Sequence, residues 1–212
     1  MTREREPLSS LLWYYAFKMP IIVPVFTFYF QGKIYGLEKM PKKGKVVIVS
    51  NHASDFDPPL LGSGMGRPVA FMAKEELFKV PILKDAIRLY GAYPVQRGAA
   101  DRNAIRAALK FLDEGWATGL FLQGTRTEDG KVTEPKLGAA LIAAKAKAPI
   151  LPVSLWGTQA IVEKGKYWPK PVPVTIRVGD LLPAPTSTDK AELEAITQQC
   201  TEIVNGLHDL GR

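Results

Sequence analysis

Short runs of β-branched and other apolar residues alternate along most of the chain with longer stretches in which apolar residues recur every three or four positions. The short runs predict buried strands, and the longer stretches predict amphipathic helices. Predicted strands cover residues 45–50, 69–73, 91–95, 119–122, 150–155 and 172–178. Predicted helices begin at residue 57 and cover residues 81–89, 101–112, 137–147 and 190–207. This alternation predicts an α/β fold with a mostly parallel central sheet flanked by helices.

The N-terminal part of the chain departs from this pattern. From Leu11 to Phe30 it is apolar and rich in aromatic residues, with a single charge at Lys18. Its length is close to the ~20 residues that a helix needs to cross the hydrocarbon core of a bilayer. Pro20 and Pro24 remove backbone donors and Lys18 is costly in hydrocarbon, so a simple transmembrane span is disfavoured. Basic residues flank the run on both sides, so the positive-inside rule assigns no orientation.

The aromatic residues of this run favour the interface between lipid and water. We therefore predict that residues 1–31 form a monotopic, helical membrane anchor and that residues 32–212 form the α/β domain. Nearby lysines would add attraction to anionic lipid; they are Lys39, Lys42, Lys43 and Lys45. The alternative is a buried core helix followed by a strand.

The composition fits one domain with anionic partners. A chain of 212 residues, 46% of them hydrophobic, is long enough for one packed core and short for two. Its net charge of +7 favours lipid headgroups, phosphorylated substrates, acidic carrier proteins or nucleic acid. Because no nucleic-acid-binding motif is present, we expect no nucleic acid partner. The single cysteine favours a reducing, cytosol-facing environment, and two distant histidines provide no metal-ligand cluster.

The stretch Asn51-His52-Ala53-Ser54-Asp55-Phe56-Asp57-Pro58-Pro59 is the strongest chemical signal. It follows a predicted buried strand, so His52 should lie on a loop at the carboxyl end of that strand, where α/β proteins place their sites. Asp57 is predicted to be the N-cap of the next helix, with Pro58 at its first position. An imidazole bonded to this carboxylate would be a general base. The alternative is that Asp57 is only a cap and His52 only a polar loop residue.

The sequence offers no clear protein nucleophile for such a base. It has no G-x-S-x-G motif, Cys200 falls in a predicted helix, and no pattern of partner residues surrounds His208. A His-Asp pair without a nucleophile favours direct transfer, in which the base deprotonates a hydroxyl of the substrate.

Basic residues follow several predicted strands. Lys74, Arg97 and Arg126 each come just after a strand end, and Gly124 lets the backbone approach an anion closely. In a parallel sheet these positions share one edge with His52, where arginines could hold a phosphate with two parallel hydrogen bonds. Together they predict a phosphate site.

These motifs resemble the glycerolipid acyltransferase family, most closely its 1-acylglycerol-3-phosphate acyltransferase branch. The family's N-H-x-x-x-x-D block matches Asn51, His52 and Asp57. The family's second block resembles Lys74 and the segment 93–98 with Arg97. Its F-P-E-G-T-R-S block is similar to Phe121-Leu122-Gln123-Gly124-Thr125-Arg126-Thr127, and its V-P-V-like strand to residues 150–154. The blocks occur in the family's order within residues 32–160.

The resemblance implies acyl transfer from a thioester to the 2-hydroxyl of lysophosphatidate, forming phosphatidate at the cytoplasmic face of a membrane. It implies His52 as the base and Asp57 as its orienting carboxylate. It implies no metal and no cofactor; acyl-CoA or acyl carrier protein is the donor. The substrate-binding residues that it implies are Asn51, Lys74, Arg97, Gln123, Gly124, Thr125 and Arg126.

Two positions depart from the family pattern. Gln123 replaces the usual glutamate and Leu122 the usual proline. If the carboxylate is needed for chemistry, the chain would be slow, selective for another acceptor, or inactive. The alternatives are therefore acylation of glycerol-3-phosphate or another lysolipid, and a non-catalytic lipid-binding relative.

Overall fold

The computed structural model describes residues 7–81, 83–89, 91–95, 102–162 and 168–212. Within them one seven-stranded sheet has the order β1-β7-β6-β2-β5-β3-β4. The strands are β1 Lys33–Tyr35, β2 Val46–Ser50, β3 Val69–Lys74, β4 Ala92–Val95, β5 Ala117–Phe121, β6 Ile150–Trp156 and β7 Thr175–Val178. Strands β2 to β6 are parallel to one another, whereas β7 is antiparallel to β6 and β1 is parallel to β7. The predicted α/β fold with a mostly parallel sheet is confirmed.

The helices lie where the periodicity placed them. They are α1 Leu8–Phe17, α2 Asp57–Gly64, α3 Leu83–Leu89, α4 Arg102–Asp113, α5 Gly138–Ala146 and α6 Lys190–Asp209. Strand β1 was not predicted, because three residues with alternating exposure carry little periodic signal. Strand β7 begins at Thr175, three residues later than predicted.

The sheet is covered on both faces. The N-terminal helical region and α2 pack on one face, with Phe26, Phe30 and Leu61 in its core. Helices α4, α5 and α6 pack on the other, with Leu112 and Ile142 in its core. Burial on both faces explains why β2 is an unbroken apolar run until its last residue.

The stretch Leu8–Phe30, called here the N-terminal apolar segment, is helical nearly throughout. After α1 come two π-helical stretches, Lys18–Ile22 and Val25–Tyr29. Pro20 lies inside the first and Pro24 directly precedes the second. A proline lacks a donor and crowds the carbonyl four residues before it, and a wider π turn accommodates such an irregularity by bonding five residues back.

The N-terminal apolar segment has two different faces. Tyr14, Phe26 and Phe30 on its inner face are buried, and the Tyr14 hydroxyl donates to the Gly62 carbonyl of α2. Its outer face is apolar but exposed; it carries Leu8, Leu12, Trp13, Met19, Ile21, Val25 and Phe28. Residues 11–29 are long and apolar enough to cross a membrane by length and composition, with 22% of the most apolar window buried. The segment is thus only partly a core helix.

Candidate active site

The site lies at the carboxyl edge of the central strands. Strands β2 and β5 pair in parallel, with Ser50 opposite Phe121 at their ends. His52 follows β2, and residues 123–126 follow β5. The two loops therefore leave the sheet side by side. This is the strand-end position predicted for His52.

His52 and Asp57 form a hydrogen-bonded pair. The Nδ1 atom of His52 lies 2.8 Å from Oδ2 of Asp57. The same oxygen accepts the backbone N–H groups of Ala53 at 2.7 Å and Ser54 at 2.8 Å. Asp57 has no exposed surface, and the His52 side chain is 10% exposed. An ionised carboxylate here keeps the proton on Nδ1 and leaves Nε2 of the imidazole as the basic nitrogen.

The predicted N-cap role of Asp57 is wrong. Phe56 occupies the N-cap position, and Asp57 is the first residue of α2, followed by Pro58. Its carboxylate turns back to the preceding loop because two backbone donors and the imidazole converge there. Because this carboxylate is bonded to the His52 imidazole, Asp57 is not only a helix cap.

Aromatic stacking fixes the orientation of the imidazole. The His52 ring lies on the Phe121 ring with centroids 4.0 Å apart and planes inclined by 13°. Phe71 stacks behind Phe121, with centroids 6.1 Å apart. Gly119 makes room for Phe71, because a Cβ atom at Gly119 would lie 2.1 Å from the Phe71 ring.

Asn51 lies in the interior, with 1% of its surface exposed. Its amide nitrogen donates to the carbonyls of Gly130 at 2.6 Å and Leu155 at 2.8 Å. Its Oδ1 atom accepts the Leu155 N–H at 2.8 Å. The resemblance implies Asn51 as a substrate-binding residue, and that role stays a prediction. In the structure these bonds make Asn51 a link between β2 and β6, directly before His52.

The loop after β5 is attached to the His52 loop. The Thr127 N–H donates to the His52 carbonyl at 2.8 Å. The Arg126 guanidinium forms an ion pair with Asp55, and their side chains are 50% and 80% exposed. Gly124 has a φ of 72°, which a glycine adopts without strain. Gly124, Thr125 and Arg126 are exposed beside the His52–Asp57 pair.

Gln123 is bonded to a second loop. Its Oε1 atom accepts the Thr133 N–H at 2.9 Å and the Glu134 N–H at 3.3 Å. These contacts require an acceptor oxygen and no charge, so glutamine can make them as well as glutamate.

Two further basic residues, Lys74 and Arg97, belong to the predicted phosphate site. Lys74 is the last residue of β3, at the same edge of the sheet as His52, because β3 and β5 are parallel. Arg97 lies outside the described residues.

Cys200 is remote from this chemistry. It is buried in α6, and burial raises the pKa of its thiol to about 12. A thiol of this kind stays protonated near neutral pH, so it is no nucleophile for the site.

Sequence reasoning missed three contributors to the site. Asp55 lies inside the histidine motif and forms an ion pair with Arg126. Its negative charge, close to a predicted phosphate site, is the signal that could have indicated this pair. Thr127 ends the arginine block and bonds the histidine loop. Asn205 on α6 bonds Val132, 73 residues away in sequence, and no local pattern announces such a contact.

Comparison with known proteins agrees with this geometry. A family model described as Acyltransferase matches residues 31–156. The 1-acyl-sn-glycerol-3-phosphate acyltransferase of Bacillus subtilis is 30% identical over 84% of this chain and 90% of its own length. A chloroplastic 1-acyl-sn-glycerol-3-phosphate acyltransferase of Brassica napus is 32% identical over 68% of this chain. The chain spans only 42% of that plant relative's length.

A solved structure shows the same fold. The crystal structure of the 1-acyl-sn-glycerophosphate acyltransferase PlsC from Thermotoga maritima superposes with a TM-score of 0.75. It is 31% identical in sequence, and the match covers 93% of this chain and 78% of that one. The family model covers more than half of the chain and includes the His52–Asp57 pair and the loop with Arg126. This chain therefore belongs to the acyltransferase family.

Proposed function

We propose that this protein transfers a fatty acyl group from acyl-CoA or acyl carrier protein to the 2-hydroxyl of 1-acyl-sn-glycerol-3-phosphate, forming phosphatidate. The observation that carries the proposal is the buried Asp57 carboxylate bonded to Nδ1 of His52, beside an exposed arginine loop. Relatives that bear this activity in their names match most of the chain.

The pair supplies general-base catalysis without a covalent enzyme intermediate. Nε2 of His52 takes the proton from the acceptor hydroxyl as its oxygen attacks the thioester carbonyl carbon. The negative charge of Asp57 stabilises the imidazolium that forms. When the tetrahedral intermediate collapses, the carbon–sulfur bond breaks, and the imidazolium returns the proton to the departing thiolate. The products are the new ester and a free thiol, so protons and electrons balance.

Arg126 is the residue best placed to hold the acceptor phosphate. Its guanidinium is half exposed and its loop is bonded to the His52 carbonyl through Thr127. An arginine can bind two phosphate oxygens at once, whereas its present partner Asp55 is an exposed carboxylate that a phosphate can replace. Lys74 and Arg97 remain proposed contributors from the neighbouring strands.

The structure favours this activity over the non-catalytic alternative. A lipid-binding relative without catalysis has no need of a fully buried carboxylate that accepts three hydrogen bonds, since burying such a charge is costly. Gln123, which stands where the family motif has glutamate, makes its loop contacts through an uncharged oxygen. Acylation of glycerol-3-phosphate or another lysolipid uses the same site chemistry and is decided by assay with a panel of acceptors.

The proposed location is a membrane surface facing the cytoplasm. The outer face of the N-terminal apolar segment is apolar and exposed, as expected for a helix that lies in the lipid interface. Its last residue, Phe30, packs against Phe56, with ring centroids 6.1 Å apart. Phe56 directly precedes Asp57, so the segment ends next to the catalytic loop, where a lipid acceptor would arrive from the membrane.

Replacing the catalytic pair should abolish transfer and spare the fold. His52→Ala removes the base, and Asp57→Asn keeps an acceptor for the Ala53 and Ser54 amides but removes the charge that stabilises the imidazolium. Each should lower kcat by roughly 10²–10⁴-fold, the usual contribution of a general base. The measurement is release of free thiol from acyl-CoA with lysophosphatidate, with thermal unfolding as the check on folding. Asp113→Asn, an exposed carboxylate on α4, is the matched control, and near-normal turnover of Asp57→Asn would end this mechanism.

Gln123 tests whether the missing family carboxylate matters. If its oxygen only holds the 133–134 amides, Gln123→Glu should change kcat little. Gln123→Ala should then raise the KM for the phosphorylated acceptor by roughly five- to tenfold, which corresponds to about 1 kcal/mol for a lost hydrogen bond. Activation of the protein by orders of magnitude in Gln123→Glu would instead support the non-catalytic interpretation of the natural chain.

Membrane attachment is best tested by point substitutions. Deleting residues 1–30 would also remove Phe26 and Phe30 from the core, so aggregation of that variant is expected. Leu12→Glu and Phe28→Glu change exposed residues only, and each should reduce co-sedimentation with anionic vesicles by roughly tenfold or more. Leu210→Glu places the same charge at an exposed apolar site on the C-terminal end and should have no effect. Unchanged sedimentation of both Leu12→Glu and Phe28→Glu would contradict the proposed anchor.

A further inference from the structure

Trp168 is the most exposed large hydrophobic side chain among the described residues, with 85% of its surface exposed. Its neighbours in sequence are held in place. The Pro169 carbonyl accepts the Tyr29 hydroxyl at 2.7 Å, and the Lys170 N–H donates to the Ile161 carbonyl at 2.9 Å. Trp168 therefore lies on a stretch of chain that is hydrogen-bonded to the N-terminal apolar segment, although the two are about 140 residues apart in sequence.

The attachment places Trp168 at the end of the N-terminal apolar segment. Tyr29, which binds Pro169, is 39% exposed, and the adjacent Phe28 is 81% exposed. Exposed aromatic residues of the N-terminal apolar segment are thus attached to a second stretch of chain, which carries the exposed Trp168. The sequence around Trp168 is basic as well as aromatic, with lysines at 164, 166 and 170 and a tyrosine at 167. Tryptophan beside lysine is the composition that favours the interface of an anionic membrane.

We propose that Trp168 inserts into the lipid surface as a second membrane contact, separate from the N-terminal apolar segment. The proposal rests on the membrane attachment proposed above. A single helix lying in the interface leaves the domain free to roll about the helix axis. A second contact from another part of the chain stops that rotation and fixes how the loops with His52 and Arg126 face the lipid.

A fluorescent label tests the insertion directly. In a Cys200→Ala background the chain has no other cysteine, so Trp168→Cys can carry an environment-sensitive dye. Gln199→Cys is the control, because α6 packs on the opposite face of the sheet from the N-terminal apolar segment. With phosphatidylglycerol vesicles, the dye at 168 should brighten and shift to the blue, and the dye at 199 should not change.

The outcomes separate this proposal from the anchor. If the labelled protein co-sediments with vesicles but the dye at 168 does not respond, the second contact is refuted and the anchor stands. If no variant co-sediments, both fail. Trp168→Ser should also weaken vesicle binding by roughly tenfold, since a buried aromatic ring contributes on that scale. Its kcat with detergent-dispersed acceptor should not change, and a loss there would indicate a role in the domain instead.

An independent set of contacts concerns the loop 130–134. The side chain of Asn205, on α6, accepts the Val132 N–H at 2.9 Å and donates to the Val132 carbonyl at 2.9 Å. One residue earlier in the loop, Lys131 pairs with Asp209 of α6 at 2.7 Å. The C-terminal helix thus holds this loop at two consecutive residues.

The same loop supports both halves of the active site. Asn51, directly before His52, donates to the Gly130 carbonyl at 2.6 Å. Gln123, directly before the exposed 124–126 stretch, accepts the Thr133 N–H at 2.9 Å. Displacement of the loop would therefore move Gln123 and the phosphate-binding stretch, whereas Asn51 keeps its separate bonds to Leu155.

We infer that Asn205 is a positioning residue for acyl transfer, acting through the loop 130–134. This inference rests on the proposed function. Asn205→Ala should raise the KM for lysophosphatidate by roughly five- to tenfold, as for the loss of a hydrogen bond or two, and leave the KM for acyl-CoA unchanged. Gln198→Ala, an exposed amide on the same helix, is the matched control and should behave as the natural chain.

Coupling with Gln123 distinguishes positioning from a general loss of stability. Both residues act through one loop, so Asn205→Ala combined with Gln123→Ala should raise the KM by less than the product of the single effects. Independent, multiplicative effects would refute the inference. Hydrogen exchange of the Thr133 amide provides a readout without activity. It should accelerate in Asn205→Ala, and unchanged exchange would overturn the inference even if the protein proved inactive on every lysolipid.

Discussion

The charge of Asp57 is the constraint on which the rest of the site depends. A carboxylate with no exposed surface is costly unless donors surround it. Here Oδ2 receives hydrogen bonds from the His52 imidazole and from two backbone amides, and the residue stands in the first turn of α2, where the helix dipole favours negative charge. The chain between residues 52 and 57 must fold back on itself to supply those donors. That fold holds the imidazole in one orientation and one tautomer.

Around this centre, the site is assembled from loops that have little structure of their own. The 123–127 loop is bonded to the His52 carbonyl, and the 130–134 loop is bonded to Asn51 and Gln123. The loop 130–134 is in turn held by the last turns of α6. Rigidity at the site therefore comes from a series of contacts, most of them hydrogen bonds between side chains and backbone groups, that runs from the C-terminal helix to His52. A reaction geometry depends on such support.

The parts that could be predicted from sequence are those with local causes. The strand before His52, the helix after it and the shared strand edge follow from periodicity and from the parallel sheet. Asp57 was predicted to be the N-cap, but it is the first residue of α2. Its side chain accepts hydrogen bonds from the preceding loop instead of from the N–H groups of the helix. Asn51 and Asn205 could not be assigned their roles, since their partners lie 79 and 73 residues away. The N-terminal apolar segment was ambiguous because its sequence is apolar on both faces, and only the packing of Tyr14 and Phe30 shows which face is inside.

The burial of Cys200 has a consequence for a protein that handles activated acyl groups. The thiolate, and not the protonated thiol, is the nucleophilic form of cysteine, and a thiolate can take an acyl group from a thioester without an enzyme. The chain has one thiol, and burial keeps it both inaccessible and protonated. It is therefore unreactive toward the thioester donor proposed above, so the protein would not capture acyl chains on this cysteine. Placing a cysteine at an exposed position near Arg126 would remove that protection and make self-acylation compete with transfer to lipid.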